Sequence, residues 1–334
     1  MSASVAIIGS GRMGRGIAAA YVAAGRDVAL IDIKGRDAAG YAAARDTAEA
    51  EVQACLATLR DHGLLQAGAD LGTVDHHTPD TLAAALAAAQ VIYEGVPEVL
   101  EVKREAFAMI DPHLRADAVI ASTSSTFVST ELAAMVARPG RLVNAHWLNP
   151  AYLVPLVEVS PHPGTDPDAT DLLVAELKSV GKVPVLCSPA AGYIVPRLQT
   201  LLMNEVARMI GEGVATAEDI DKATRFGLGI RYASMGVAEF IDFGGMDILF
   251  YASGYLSREL GPRFECAPII TEKMAADQVG ARTGVGLYDW SGVDLETYRN
   301  TLTKRLVDRI DLAVADQEET GLVSAPPDAP KKKT

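Results

Sequence analysis

Ser4-Val-Ala-Ile-Ile-Gly9-Ser-Gly11-Arg-Met-Gly14, followed by Asp27-Val-Ala-Leu-Ile-Asp32, is the stretch that decides the fold. An apolar strand runs into a glycine turn, a helical pattern from about Arg12 to Ala24 follows, and a second strand ends in Asp32. The glycines have separate jobs. Gly9 allows the tight turn, Gly11 lets backbone approach a pyrophosphate, and Gly14 lets the helix pack closely on the strand. The helix aims its N-terminal N–H groups and positive dipole end at the phosphates, with Arg12 and Met13 in its first turn. Asp32 lies 23 residues beyond Gly9, where a carboxylate accepts both ribose hydroxyls of an adenosine and repels a 2′-phosphate. Strand, glycines, helix, strand and Asp in this order predict NAD as cofactor. Lys34 and Arg36 just beyond would suit a 2′-phosphate, so NAD is favoured over NADP rather than dictated.

Working outward, Ala-rich helix is expected over about 35–63, and short strands at Gly72–Asp75, Gln90–Glu94 and Ala118–Ser122. Helical segments near Asp80–Ala89 and Glu101–Ile110 separate them. Strands alternating with helices specify a parallel sheet covered on both faces. Arg141–His146, Leu153–Val159 and Lys182–Leu186 read as further strands, with a helix over Asp168–Val180. Beyond Ser188-Pro-Ala-Ala-Gly192 only helical patterns remain: Ile194–Gly211, Ala217–Phe226, Val237–Phe243, Asp247–Leu260, Ile269–Asp277 and Leu295–Asp316. The expected architecture is α/β, a Rossmann-type doubly wound sheet over residues 1–188 followed by an all-α domain over 189–316. The proline- and lysine-rich residues 317–334 read as a disordered tail.

The 334 residues, 49% hydrophobic, can bury a large core. A net charge of −13 argues against nucleic acid or an anionic membrane as partner. No apolar run approaches the ~18 residues of a membrane span, and the first apolar stretch is used up by the first strand rather than a signal peptide. The three cysteines, Cys55, Cys187 and Cys266, are scattered, with no second Cys or His at metal-ligand spacing. A soluble cytoplasmic protein is expected. Apolar residues such as Ile241, Phe243, Met246, Ile248, Leu249 and Phe250 predict a homodimer through the helical domain.

Hydride transfer needs a group to move the accompanying proton. His62, His76, His77, His113 and His162 fall in polar helix ends or turns and read as solvated. His146 instead ends an apolar strand and precedes Trp147-Leu-Asn149-Pro150 at the carboxyl edge of the sheet, where open α/β sheets bind ligands. Glu158 sits inside the otherwise apolar Leu153-Val-Pro-Leu-Val-Glu-Val159, and a carboxylate there needs a partner. His146 on the neighbouring strand supplies one, with Glu158 fixing the tautomer and stabilising imidazolium. The competing reading is a core pair with no catalytic part.

The run Ser124-Ser125, Asn144-Ala-His146-Trp-Leu-Asn149-Pro150, Pro155-Leu-Val-Glu158-Val and Gly192-Tyr-Ile-Val resembles the L-3-hydroxyacyl-CoA dehydrogenase superfamily, in its 3-hydroxybutyryl-CoA dehydrogenase and λ-crystallin-like branch. The glycine turn and Glu94-Gly-Val-Pro-Glu98 with Lys103 match as well, and the similarity runs from residue 1 to about 290. The resemblance implies NAD-dependent interconversion of an L-3-hydroxyacyl-CoA and its 3-oxo form, with His146 as general base and Glu158 orienting it. Ser125, or Ser124, since the spacing to His146 leaves one residue of ambiguity, would hydrogen-bond the substrate's 3-oxygen. Asn149 would lie near the nicotinamide, with Glu98 and Lys103 on the cofactor side.

Two departures stand out. Pro196-Arg197 stands where the family usually has Asn-Arg, and a proline ring cannot replace amide hydrogen bonds. Gly227-Leu-Gly229-Ile-Arg231-Tyr232 resembles λ-crystallin and carnitine dehydrogenases, whose substrates carry free carboxylates, and Arg231 offers the fork a carboxylate wants. Ala57-Thr-Leu-Arg60-Asp-His-Gly-Leu-Leu is poor in the lysines that acyl-CoA members carry near the CoA adenine. The alternatives are therefore a dehydrogenase of a free 3-hydroxy acid, gulonate- or carnitine-like, and a non-catalytic dinucleotide-binding protein. Retention of Ser125, His146 and Glu158 together speaks against the latter.

Overall fold

The computed structural model describes residues 4–315. The chain divides into two compact units, Met1–Leu202 and Met203–Thr334. In the first, β1 (Val5–Ile8), α1 (Arg12–Ala23), β2 (Val28–Ile31), α2 (Ala38–Asp61), β3 (Val74–His77), α3 (Leu82–Ala88), β4 (Val91–Glu94), α4 (Leu100–Ile110) and β5 (Val119–Ser122) alternate as expected. Then come α5 (Ser129–Ala133), β6 (Leu142–Trp147), β7 (Leu156–Pro161), α6 (Pro167–Ser179) and β8 (Val183–Leu186). They form one eight-stranded sheet in the order β3-β2-β1-β4-β5-β6-β7-β8. The chain winds outward in both directions from β1 and β4, so a crevice opens at the carboxyl ends of those two strands.

Each central strand is buried on both faces. Val5 and Ile7 of β1 enter one apolar cluster, with Tyr21, Leu56 and Trp147, while Ala6 and Ile8 enter the other, with Leu86 and Phe107. The two-residue period of a strand sends alternate side chains to opposite faces. Helices cover both, as the near-continuous apolar strands require.

The sheet departs from the all-parallel expectation at one place. β6 and β7 pair antiparallel, because residues 148–155 between them form no helix and are too few for a parallel crossover, which takes a dozen or more. β3 also begins two residues later than expected, so His76 and His77 lie in a strand and not in a turn. There His76 Nε2 meets Glu49 at 3.3 Å and His77 Nε2 meets Asp75 at 3.0 Å.

Helix α7 (Val195–Gly211) runs across the division. The second unit continues with α8 (Ala217–Ala223), a π-helical turn over Thr224–Gly229, α9 (Ile230–Ser234), α10 (Val237–Gly244), α11 (Met246–Leu260), α12 (Pro268–Ala275) and α13 (Leu295–Ala315). The expected helix at Ala217–Phe226 thus passes into the wider π-turn, where Gly227 and Gly229 contribute no side chains to hold α-register. Met246, Ile270 and Val279 form a small core, against which Ile241, Leu249 and Phe250 pack. Most of the apolar residues expected on an uncovered face are therefore inside this unit; of that set only Ile248 is largely exposed. The buried Asp242 carboxylate accepts Leu287 N, Tyr288 N and Trp290 Nε1 at 2.8–2.9 Å and pins the segment before α13. No helix among the described residues is long and apolar enough to cross a membrane. The tail at 317–334 lies outside the described residues.

Candidate active site

The glycine turn has the shape that a dinucleotide needs. Gly9 takes φ +100°, in the left-handed region, and a β-carbon on it would lie 2.8 Å from Gly95 O. A β-carbon on Gly14 would lie 2.0 Å from Gly9 O, so the close contact of α1 with the turn depends on that glycine. At Gly11 a β-carbon would meet nothing within 4 Å: the turn opens there onto free space at the N-terminus of α1, where backbone N–H groups favour a phosphate. Arg12 is exposed beside it and Met13 half-buried. A cavity of about 1030 Å³ begins at this turn and reaches Asp32 on one side and Val96, Val102 and Met109 on the other. Its size and mixed lining suit an extended cofactor. Asp32 is buried at the end of β2; Oδ1 accepts Lys34 N at 3.1 Å and Oδ2 accepts Arg36 Nε at 2.9 Å. Arg36, one of the two cations that would suit a 2′-phosphate, is thus already paired with the carboxylate that repels it.

The ends of β4 and β5 are tied by a buried charged network. Lys103 Nζ donates to both oxygens of Glu94 at 2.9 and 3.0 Å, and Ser122 Oγ donates to Glu94 Oε2 at 2.6 Å. Both charged side chains are fully buried, and breaking such a pair from one side typically costs about 3–5 kcal/mol. Lys103 also lies 3.3 Å from Glu98 Oε2. Glu98 Oε1 accepts the Ser124 hydroxyl, and Thr126 N and Oγ1 at 2.9 Å each. Burial works against the charge on Glu98, but these donors and the Lys103 ammonium outweigh it and hold the carboxyl down at about 2. Lys103 therefore presents no exposed atom, and any part it has in holding a cofactor runs through the loops it anchors. The two serines also separate. Ser124 is buried, its hydroxyl given to Glu98 and its Oγ accepting Phe127 N at 2.9 Å. Ser125 is exposed and has no hydrogen-bond partner among the described residues.

The antiparallel turn between β6 and β7 sets His146 directly opposite Glu158. His146 Nδ1 lies 2.7 Å from Glu158 Oε2, which leaves Nε2 as the free ring nitrogen. The other oxygen, Oε1, accepts Ile194 N and Val195 N at 2.8 Å each. These N–H groups open α7, so the helix dipole adds to the stabilisation of a carboxylate that is fully buried. Gly192 at φ +75° makes the bend that delivers them. Pro196 falls in the first turn of α7, where its missing N–H would have no intrahelical partner in any case. Asn149 is exposed at the end of the same β6 edge. The loop after it is held by Lys182 Nζ, which donates to Ala151 O at 2.7 Å and Val154 O at 2.9 Å; burial pushes this amine down to about 8.

Sequence reasoning passed over Tyr193. Its ring stacks on His146, with centroids 5.9 Å apart and planes at 27°, and its hydroxyl donates to Phe127 O at 2.7 Å. The available signal was a Gly–aromatic pair immediately before a helix. In the second unit, Arg231 is exposed on α9 and has no carboxylate partner among the described residues.

Two family models match most of the chain: the NAD-binding domain of 3-hydroxyacyl-CoA dehydrogenase over residues 4–190 and the C-terminal domain of the same enzyme over 192–290. The chain belongs to the 3-hydroxyacyl-CoA dehydrogenase family. It is an NAD-dependent oxidoreductase of that type. Among its relatives in the family, 5-formyl-3-hydroxy-2-methylpyridine 4-carboxylate 5-dehydrogenase of Mesorhizobium japonicum is 28% identical over 92% of this chain and 97% of that protein. The 3-hydroxybutyryl-CoA dehydrogenase of Clostridioides difficile is 28% identical over 86% of this chain and 99% of its own. Of solved structures, the 3-hydroxyacyl-CoA dehydrogenase of Archaeoglobus fulgidus superposes with a TM-score of 0.71 at 27% identity, covering 93% of this chain and 99% of that one.

Proposed function

We propose that this dehydrogenase interconverts an L-3-hydroxyacyl-CoA, such as 3-hydroxybutyryl-CoA, and its 3-oxo form. The observation that carries the reading is the buried His146–Glu158 pair, with Oε1 of Glu158 fully engaged by backbone and Nε2 of His146 free. NAD, when bound, supplies the acceptor for the hydride leaving C3 of the substrate. His146 Nε2 takes the hydroxyl proton in oxidation and returns it in reduction. Glu158 holds the ring in the required tautomer and balances the imidazolium charge. Ser125, the serine with an uncommitted hydroxyl, donates to the 3-oxygen as it becomes a carbonyl. Gly9, Gly11, Gly14, Arg12 and Met13 would hold the pyrophosphate of NAD, Asp32 its ribose, and Asn149 would lie by the nicotinamide. Residues 1–188 would serve NAD, and 189–316 the substrate and assembly.

A second reading is favoured by Arg231, an exposed guanidinium without a carboxylate partner, and by the free carboxylate in the name of the Mesorhizobium relative. It makes the substrate a 3-hydroxy acid. The test is a panel of 3-oxo compounds, acetoacetyl-CoA, free acetoacetate and longer 3-oxo acids, read by NADH oxidation. Fastest turnover of acetoacetyl-CoA is expected. Turnover confined to free acids would replace the first reading by the second, and no turnover of any would overturn both.

The active form is proposed to be a homodimer through residues after Gly192. Leu198, Leu201 and Leu202 at helical spacing on α7, and Ile248, Tyr251 and Tyr255 on α11, are all about half exposed or more. Such stripes are the kind of apolar surface that assembly removes from water. Light scattering at micromolar protein is expected to read twice the mass of the chain, and a single-chain mass would reject the dimer. The three free cysteines agree with a reducing, cytoplasmic setting.

A further inference from the structure

Tyr193 occupies a position where its backbone is unfavourable. Its φ of +42° is in the left-handed region, which side chains other than glycine and asparagine seldom adopt. A residue held there against its preference is held by its surroundings, and such positions cluster at functional sites. Three contacts do the holding. The ring lies against the imidazole of His146, the hydroxyl donates to Phe127 O, and the next two backbone N–H groups go to Glu158. Phe127 closes the turn that starts at Ser124, so its carbonyl is two residues from Ser125. Burial pushes the phenol well above its ordinary range, so the hydroxyl remains a donor.

We propose that Tyr193 is a positioning residue that sets the distance between the acid/base His146 and the serine that receives the 3-oxygen. The inference rests on the assignment of Ser125 and His146 made above. The reasoning is geometric. The His146 ring is fixed on β6 by Glu158, and the Ser124 end of the 124–127 turn is tied to Glu98 and to Asn144 of β6, whose Nδ2 donates to Ser124 O at 3.0 Å. The Tyr193 hydroxyl holds the other, Phe127 end of that turn to the ring packed on the imidazole, and Ser125 lies between the two ends. The proton acceptor His146 and the hydrogen-bond donor Ser125 must act on the same substrate oxygen, and small misplacement of either is costly in rate. A tyrosine that merely fills the core would also seek an acceptor for its hydroxyl, and a test has to separate the two roles.

Tyr193→Phe keeps the ring and removes one hydrogen bond. With rates normalised to NADH-binding sites, so that any loss of folded protein drops out, kcat is expected to fall about five- to tenfold with NADH affinity unchanged. In a Ser125→Ala background the same change is expected to have almost no further effect, because two groups acting through one interaction are not additive. A Tyr193→Phe enzyme with full kcat, or one whose loss is the same in both backgrounds, would overturn the inference. If Ser125→Ala by itself were fully active, the assignment of Ser125 would fall and this inference with it. A slow Ser125→Ala enzyme beside an additive Tyr193→Phe would remove this inference alone.

Discussion

Replacing His146 by Gln is expected to lower kcat by roughly 10²–10⁴, the usual worth of a positioned acid/base, while NADH binds almost as before. Gln is the informative substitution because its amide can still donate to Glu158 Oε2, where the imidazole donor lies at 2.7 Å. Glu158 is fully buried, and His146→Ala would leave one of its oxygens without a partner, a desolvation cost of about 1–3 kcal/mol or more for a charged group. Loss of rate in the Ala variant would then mix chemistry with stability. Glu158→Gln should reduce kcat by less than His146→Gln, because the ring remains opposite it while the balancing charge is gone. The measurement is kcat for NADH oxidation on the best 3-oxo substrate, alongside NADH affinity from fluorescence. A His146→Gln enzyme as fast as the wild type would remove His146 from the mechanism and leave the pair as core packing.

Arg231→Met is expected to separate the two substrate classes. Methionine keeps an unbranched apolar stem and a good helical propensity on α9, so the helix should survive the change. If the guanidinium receives a carboxylate, losing that charge-assisted pair is worth ~1.5–3 kcal/mol, or roughly ten- to a hundredfold in KM for a free 3-oxo acid. Acetoacetyl-CoA, which has no carboxylate at that end, should be turned over with nearly unchanged KM. The contrast between the two substrates is the readout, since general damage to the site would raise both. Equal KM values for the variant and the wild type on every 3-oxo acid would make Arg231 a structural or assembly residue and leave the thioester reading in place.

Much of this protein follows from short-range pattern. The Gly9–Gly14 turn and Asp32 are legible because their roles depend on local backbone and on a fixed distance to the next strand. The alternation of short apolar strands with helical segments likewise predicts a parallel sheet buried on both faces before any neighbour is known. Glu158 stands out in an apolar strand because a buried carboxylate needs a partner, and His146 stands out at the carboxyl end of the strand before it. What lies outside local pattern is which strand edge meets which. The antiparallel pairing of β6 and β7 comes from a connection too short for a crossover, and it is this pairing that puts His146 and Glu158 opposite each other. Spacing leaves Ser124 and Ser125 one residue apart and equivalent. The tertiary contact with Glu98, 26 residues earlier in the chain, commits Ser124 and leaves Ser125 exposed. The resemblance places Lys103 on the cofactor side, whereas in the fold β4 and α4 close over it and pair it with Glu94. Tyr193 is an ordinary aromatic in sequence, 66 residues from the carbonyl it holds, and its place against His146 exists only once the sheet is assembled. Local chemistry thus sets the cofactor turn and the candidate base. The partners that fix each side chain are distant in the chain, and only the folded sheet brings them within hydrogen-bonding reach.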